Sequence, residues 1–228
     1  MPDRGVLYIV WGTQATAISE RSRRSLREHH PELPVEFVRL DDSLDPILGL
    51  AEKARMMDLS PFEETLYLDA DTVVFGRLDF GFEKAAKHGM ACTICECPWA
   101  RRYNKALAGD VVEYNTGVLF FTRKARPVFD AWRRLAGSLD SSCPVAYDGK
   151  IQRVSAFNDQ CGFAAAVEET GFLPFVLPLN WNFRPRYQKT LFGPVRIWHE
   201  YSDPPALHHE IARYYTNPDS VIQYLEFE

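Results

Sequence analysis

The chain has 228 residues, 46% hydrophobic and 25% charged, an ordinary globular balance with material for one sizeable core. A net charge of −5 excludes a nucleic-acid surface built on bulk charge. No apolar run reaches the ~18–20 residues that would span a bilayer, so one domain over residues 1–228 without a transmembrane segment is expected.

Five cysteines, an odd number, argue against a secreted disulfide framework. Cys92, Cys95 and Cys97 form Cys-x-x-Cys-x-Cys with no second cluster, a poor zinc signal, and buried free thiols are expected instead. The run Val6–Trp11 is too short and too poorly flanked for a signal peptide. A cytoplasmic location is the expectation.

Val6–Trp11 reads as a first buried strand between Gly5 and Gly12. Gly12, Thr13 and Gln14 then form a small, hydroxyl-bearing loop that can approach a nucleotide closely, although it is neither GxGxxG nor a Walker loop. Ala17–His30 reads as a helix whose Arg21, Arg23, Arg24 and Arg27 make a solvated face, with a phosphate role for these arginines as the lesser alternative. Val35–Leu40 is a second strand. Asp45-Pro46 opens a helix to about Asp58 with a core stripe of Ile47, Leu50, Ala51, Ala54 and Met57. Lys53 falls on the flank of that stripe, free to snorkel to water or to point toward the end of the next strand.

That next strand, Leu66–Leu68, stops abruptly at Asp69-Ala70-Asp71, and a second β-branched run, Thr72–Phe75, follows. Burying the two carboxylates unpaired is costly, so they need a compensating partner. Oxygen ligands one residue apart at the carboxyl end of a buried strand suit Mg²⁺ or Mn²⁺, and ligands of open α/β sheets gather there. The competing reading, a turn pair bonded to its own backbone, fits less well between two apolar strands. The β-α-β-α-β order predicts an α/β fold, a mostly parallel central sheet with helices on both faces.

The later half is more varied. Leu78–His88 reads as a helix, Met90–Cys95 as a strand and Cys97–Gly109 as an exposed basic loop. Glu113–Thr122 is a strand containing Asn115-Thr116-Gly117, where the glycine marks a bulge or a close backbone approach. Pro127–Leu139 is an amphipathic helix and Asp140–Arg153 a loop. Phe157–Thr170 reads as a helix capped by Asn158 and stopped by Gly171, with Asp159 and Gln160 in its first turn. A carboxylate there either complements the helix dipole, a gain of ~0.3–1 kcal/mol, or is aimed into the site. Phe172–Leu177 and Val195–Trp198 are strands. The second ends at His199, a candidate third ligand for the aspartate pair. Pro204–Glu228 reads as one or two terminal helices.

The ordered set Asp69-Ala70-Asp71, Asn115-Thr116-Gly117, Asn158-Asp159-Gln160, Leu179-Asn180-Trp181-Asn182 and Trp198-His199 resembles the GT-A glycosyltransferases. It is most similar to the retaining branch that holds glycogenin and the bacterial lipopolysaccharide galactosyltransferases, over roughly Val6 to His199. The resemblance implies a single Rossmann-like GT-A domain. It implies metal-dependent transfer of a sugar, with retention, from a nucleotide-diphosphate donor such as a UDP-sugar to a carbohydrate, lipid-linked or protein acceptor. By the same resemblance Asp69, Asp71 and His199 would hold Mn²⁺ or Mg²⁺, with Asp69-Ala70-Asp71 against the donor diphosphate. Gly12 and Thr13 would lie near the nucleotide, Lys53, Asn115 and Thr116 would contact the donor, and Asp159 and Gln160 would stand beside the reacting carbon. The chain departs from the family where His199 is followed by Glu-Tyr-Ser-Asp-Pro-Pro instead of a glycine-lysine-proline clamp, and where Ala156 replaces a carboxylate. Arg101, Arg102, Lys105 and Arg184 are the substitute candidates for the clamp. Arg21–Arg27 and Trp99–Lys105 are the stretches suited to peripheral membrane contact.

Rival readings are a haloacid-dehalogenase-type phosphatase, which shares the local Asp-x-Asp-Thr-Val pattern but usually carries it on the first strand, and a non-catalytic sugar-nucleotide-binding protein. A nucleotidyltransferase would need a glycine-rich basic first loop, which Trp11-Gly12-Thr13-Gln14 is not.

Overall fold

A computed structural model describes residues 3–97, 109–136, 138–139, 144–147, 149–153, 159–188, 190–214 and 224–226. In chain order its elements are β1 (Arg4–Val10), α1 (Thr13–His29), β2 (Val35–Arg39), α2 (Pro46–Glu52), α3 (Met56–Leu59), β3 (Glu64–Leu68), β4 (Thr72–Val74), α4 (Asp79–His88), β5 (Met90–Ile94), β6 (Tyr114–Thr122), α5 (Arg126–Leu135), β7 (Pro144–Tyr147), β8 (Lys150–Arg153), α6 (Asp159–Thr170), β9 (Phe175–Val176), β10 (Thr190–Phe192), β11 (Ile197–His199), α7 (Ala206–Tyr214) and β12 (Tyr224–Glu226).

The central sheet has six strands in the order β2-β1-β3-β6-β5-β9. Five run the same way and β6 alone is reversed, pairing antiparallel with both β3 and β5. The inner strands carry long apolar runs because both faces are covered, whereas the edge strand β2 has Glu36 and Arg39 exposed. Alternate residues divide between two cores. Leu7, Ile9, Tyr67, Cys92, Leu119 and Phe121 meet Phe129, Trp132 and Phe163 of α5 and α6. Val6, Tyr8, Leu66, Leu68, Val118 and Phe120 meet Leu26 of α1 and Phe82 of α4 on the other face. Each such large side chain contributes on the order of 1.5–3 kcal/mol when fully buried.

Helix α1 docks through serines instead of a leucine stripe. Ser22 Oγ lies 2.9 Å from Tyr8 Oη and 2.6 Å from Thr72 Oγ1, and Val74 N–H donates to Ser25 Oγ at 2.9 Å. Small hydroxyls let the helix sit close to β4 while satisfying polar groups that burial would otherwise orphan. The short strand β4 pairs antiparallel with β11, setting His199 opposite Thr72.

Several expectations are corrected. Helix α1 starts at Thr13, not Ala17, because Gly12 takes a positive φ of 77° and its N–H is held by Asp42 Oδ1 at 2.9 Å, which turns the chain at once into the helix. The helix expected from Asp45 to Asp58 is broken: a 3-10 turn, Lys53–Arg55, separates α2 from α3 where Lys53 enters the core. The expected loop 140–153 contains an antiparallel hairpin, β7 with β8. The C-terminal segment is not all helix, since β12 pairs with β10. Arg21 is not part of a solvated face and instead bonds the chain near the candidate site. The basic residues Arg101, Arg102 and Lys105, with Ala156 and Asn158, lie outside the described residues.

Candidate active site

Asp69 and Asp71 leave the end of β3, and the backbone fixes both. Asp69 N–H donates to Gly117 O at 2.8 Å, and Glu200 N–H donates to Asp71 O at 3.0 Å. Pairing of β4 with β11 brings His199 beside them from far along the chain. One ligand atom from each of Asp69, Asp71 and His199 lies within 4.8 Å of the others. Gly117 makes room for this approach: a Cβ there would sit 2.3 Å from His199 Cε1 and 2.6 Å from Asp69 Oδ2. The sequence signal of a close backbone approach at Gly117 is therefore borne out.

A chain of amides orients the imidazole. Gly117 N–H donates to Asn115 Oδ1 at 2.8 Å, and Asn182 Nδ2 donates to the same oxygen at 2.7 Å. Asn182 must then turn its Oδ1 toward His199 Nδ1, 2.7 Å away, so that this nitrogen carries the proton and donates. His199 Nε2 faces the carboxylates, 3.3 Å from Asp71 Oδ1 and 3.6 Å from Asp69 Oδ2. A lone pair against two carboxylates is repulsive, and either a proton on Nε2 or a cation between the three groups removes the repulsion. Burial raises the Asp71 carboxyl, but the charge of His199 and the hydrogen bond to it outweigh that and hold it below the usual carboxylate range. Two carboxylates and an imidazole oriented through its second nitrogen fit a divalent cation such as Mn²⁺ or Mg²⁺.

Lys53 joins this group to a second one. Its side chain is only 4% exposed, and Nζ lies 3.0 Å from Asp69 Oδ1 and 2.9 Å from Asp159 Oδ2. Lys53 does not snorkel to water, because the buried carboxylates draw the ammonium inward. Tyr67 Oη donates to Asp69 Oδ1 at 2.7 Å and Thr116 Oγ1 donates to Asp159 Oδ2 at 2.6 Å. Burial lowers the Lys53 pKa, but Asp159 and Asp69 overturn that and raise it above its ordinary value. Burial likewise raises Asp159, and Lys53 with Thr116 brings it below its ordinary value. Asp159 opens α6, where Trp132 Nε1–H donates to its carbonyl at 3.1 Å, and Gln160 is buried beside it.

The sequence-derived candidates divide: Asn115, Thr116, Asp159 and Gln160 do not line the cavity at the aspartate pair, Asp159 and Thr116 being joined to it through Lys53, while the others do. Gly12, Thr13, Lys53, Ala70 and the three ligand-type residues line one cavity of about 580 Å³. Asn115 is buried and its oxygen is occupied by Gly117 and Asn182, so its visible work is to orient the histidine relay. Asn182 and Tyr67 hold the site through side-chain hydrogen bonds that the sequence pattern does not announce. Arg21 donates to Glu200 O at 2.7 Å and Tyr201 O at 2.9 Å, fastening the segment after His199. No described helix is long and apolar enough to cross a membrane.

No family model and no curated protein matches the sequence. Solved structures do match the fold. Mouse xyloside xylosyltransferase 1 is 15% identical with a TM-score of 0.55, covering 89% of this chain and 99% of that one. The glycosyltransferase GlyE of Streptococcus pneumoniae TIGR4 is 16% identical with a TM-score of 0.56, covering 88% of this chain and 55% of that one. A glycosyltransferase involved in glycosylation of the major capsid of PBCV-1 is 13% identical with a TM-score of 0.50, covering 93% and 99%. These likenesses show that the chain has the GT-A fold of the nucleotide-sugar glycosyltransferases.

Proposed function

We propose that this GT-A chain, read as one domain over residues 1–228, is a glycosyltransferase that moves a sugar from a nucleotide-diphosphate donor, a UDP-sugar, to an acceptor hydroxyl with retention of configuration. The observation that carries the proposal is the pair of linked carboxylate groups. One is the Asp69–Asp71–His199 cluster, with ligand atoms within 4.8 Å. The other is Asp159, tied to it through the buried Lys53.

Asp69, Asp71 and His199 would hold Mn²⁺ or Mg²⁺, which when bound supplies a Lewis acid for the charge that develops on a departing diphosphate. Thr13 and Gly12, at the start of α1, take the base and ribose end of the nucleotide. Lys53 keeps Asp159 ionised inside the protein. An ionised Asp159, with the amide of Gln160, stabilises positive charge at the sugar carbon as its bond to the phosphate oxygen stretches. Asn182 and Asn115 hold the His199 tautomer, and Arg21 holds the backbone that follows it. The phosphatase reading is less well supported, because Asp69 ends the third strand of the sheet, after two β-α units, and not the first.

A thermal-shift panel of nucleotide sugars with and without Mn²⁺ tests the proposal. One UDP-sugar that stabilises the protein only with metal is the expected result. Metal-dependent hydrolysis of that donor separates a transferase from a binding protein, and cleavage of a generic phosphomonoester would favour the phosphatase.

A further inference from the structure

A larger cavity, about 750 Å³, lies beyond Arg21, between α1, β4 with Gly76, and the segment Asp203–Ala212. It shares no lining residue with the cavity of Asp69, Asp71 and His199. Its floor is apolar: Val73 and Phe75 are 5% and 4% exposed, and Ala212 packs on them. Its walls are cationic. Two of the four arginines are already neutralised, Arg21 by Asp203 and Arg77 by Asp79 and Glu32. Arg24 and Arg196 are not: among the described residues neither side chain has a hydrogen-bond or ion-pair partner, and the one other acid on the wall, Glu28, bonds neither.

Arg196 is the more telling of the two. It is half-buried, and its guanidinium occupies the space where Gly76 has no side chain; a Cβ there would come within 2.7 Å of Nη1. Burial with no compensating charge pulls its pKa below the ordinary arginine value. The nearby His29 is lowered as well, by burial first; Glu28 opposes this, and His30, then Arg196 and Arg77, add to it. A half-buried cation without a partner is costly, and an anion in the cavity repays the cost.

We infer that this cavity is a second binding site, distinct from the candidate active site, for a phosphate monoester or similar anion carried on an apolar body. Arg196 and Arg24 grip the anionic head and Val73, Phe75 and Ala212 take the apolar portion. The same chemistry is offered by a phospholipid headgroup and by a soluble phosphorylated amphiphile.

The test uses the full chain in EDTA, so that a metal at the other site contributes nothing, with hexyl phosphate and inorganic phosphate as soluble probes and phosphatidylcholine vesicles with or without phosphatidylglycerol. Saturable binding is expected, with hexyl phosphate tighter than inorganic phosphate. Arg196→Gln and Arg24→Gln should each weaken it about tenfold or more, the scale of one lost charged hydrogen bond, while Asp69→Asn leaves it unchanged. Arg24 is exposed, so its variant folds and keeps the test decisive if Arg196→Gln does not. Arginine-dependent binding to the soluble ester assigns a soluble ligand; binding only to vesicles with phosphatidylglycerol assigns a lipid. No binding to either probe class, or binding that survives both arginine substitutions, overturns the inference.

Discussion

Lys53 Nζ stands 2.9 Å from Asp159 Oδ2 and, at 3.0 Å, equally close to Asp69 Oδ1, so a single buried ammonium joins two carboxylates separated by ninety residues of chain. Removing Lys53 leaves two carboxylates without the ammonium between them. Lys53→Met should therefore destabilise the protein by about 3–5 kcal/mol and abolish turnover. Lys53→Met with Asp159→Asn should lose less than the sum of the single losses. Urea unfolding of the four proteins in a double-mutant cycle measures this, and strict additivity would show that the two side chains do not interact.

The histidine relay gives a separable effect. Asn182→Ala removes the acceptor that orients His199 Nδ1 but leaves all three ligand-type residues in the chain. Metal affinity should fall about 10- to 100-fold. Titration of Mn²⁺ against the protein by electron paramagnetic resonance reads this directly. An affinity equal to that of the unaltered protein would exclude the relay.

Gly117→Ala tests the close packing of the centre. The added methyl would need the space of His199 Cε1 and Asp69 Oδ2, both held by their own bonds. A loss of about 1–3 kcal/mol in stability is expected, together with loss of metal-dependent activity. Full activity with unchanged melting would mean that the centre is looser than its geometry.

Acid should weaken the fold through the same carboxylates. Asp71 and Asp159 both have folded pKa values below their ordinary ones. Their contribution is therefore present above the unfolded carboxylate value of about 3.9 and is lost as pH falls through the lower folded values. Lys53, raised in the fold, contributes fully below its unfolded value of about 10.4 and loses that contribution only as pH rises through the higher folded one. Urea midpoints followed downward from about pH 6 should fall more steeply for the unaltered protein than for Asp159→Asn. Parallel curves would show that Asp159 carries no such linkage.

Asp159→Ala should reduce kcat far more than it changes KM for the donor, as expected of a group that acts on the transition state. Steady-state kinetics on the donor identified by the thermal-shift panel measures the split. An equal effect on both constants would give Asp159 a binding role instead.

Much of this was legible in the chain, for reasons that differ by residue. The pair Asp69 and Asp71 stood out because an apolar strand cannot end on two carboxylates without a partner. Asp159 and Gln160 stood out because a helix begins there. Lys53 was ambiguous, since a flank position on an amphipathic helix is compatible with either water or core, and only the third dimension decides. Asn182 was not legible as a positioning residue, because its partner His199 is brought to it by the pairing of β4 with β11, a contact that local pattern does not encode. Arg21 misled for a related reason: four arginines on one helix suggest solvent, yet one of them meets three backbone carbonyls from distant turns. The sequence does signal a hairpin at Asp148-Gly149, a strong turn dipeptide between β7 and β8.

The most direct measurement of the central claim is hydrolysis of a UDP-sugar donor by the unaltered protein and by Asp71→Asn, each with Mn²⁺ and with EDTA. Turnover that requires Mn²⁺ in the first protein and vanishes in the second, with both folded by circular dichroism, is the predicted result. Undiminished metal-dependent turnover in Asp71→Asn, or turnover indifferent to EDTA in the unaltered protein, would contradict it.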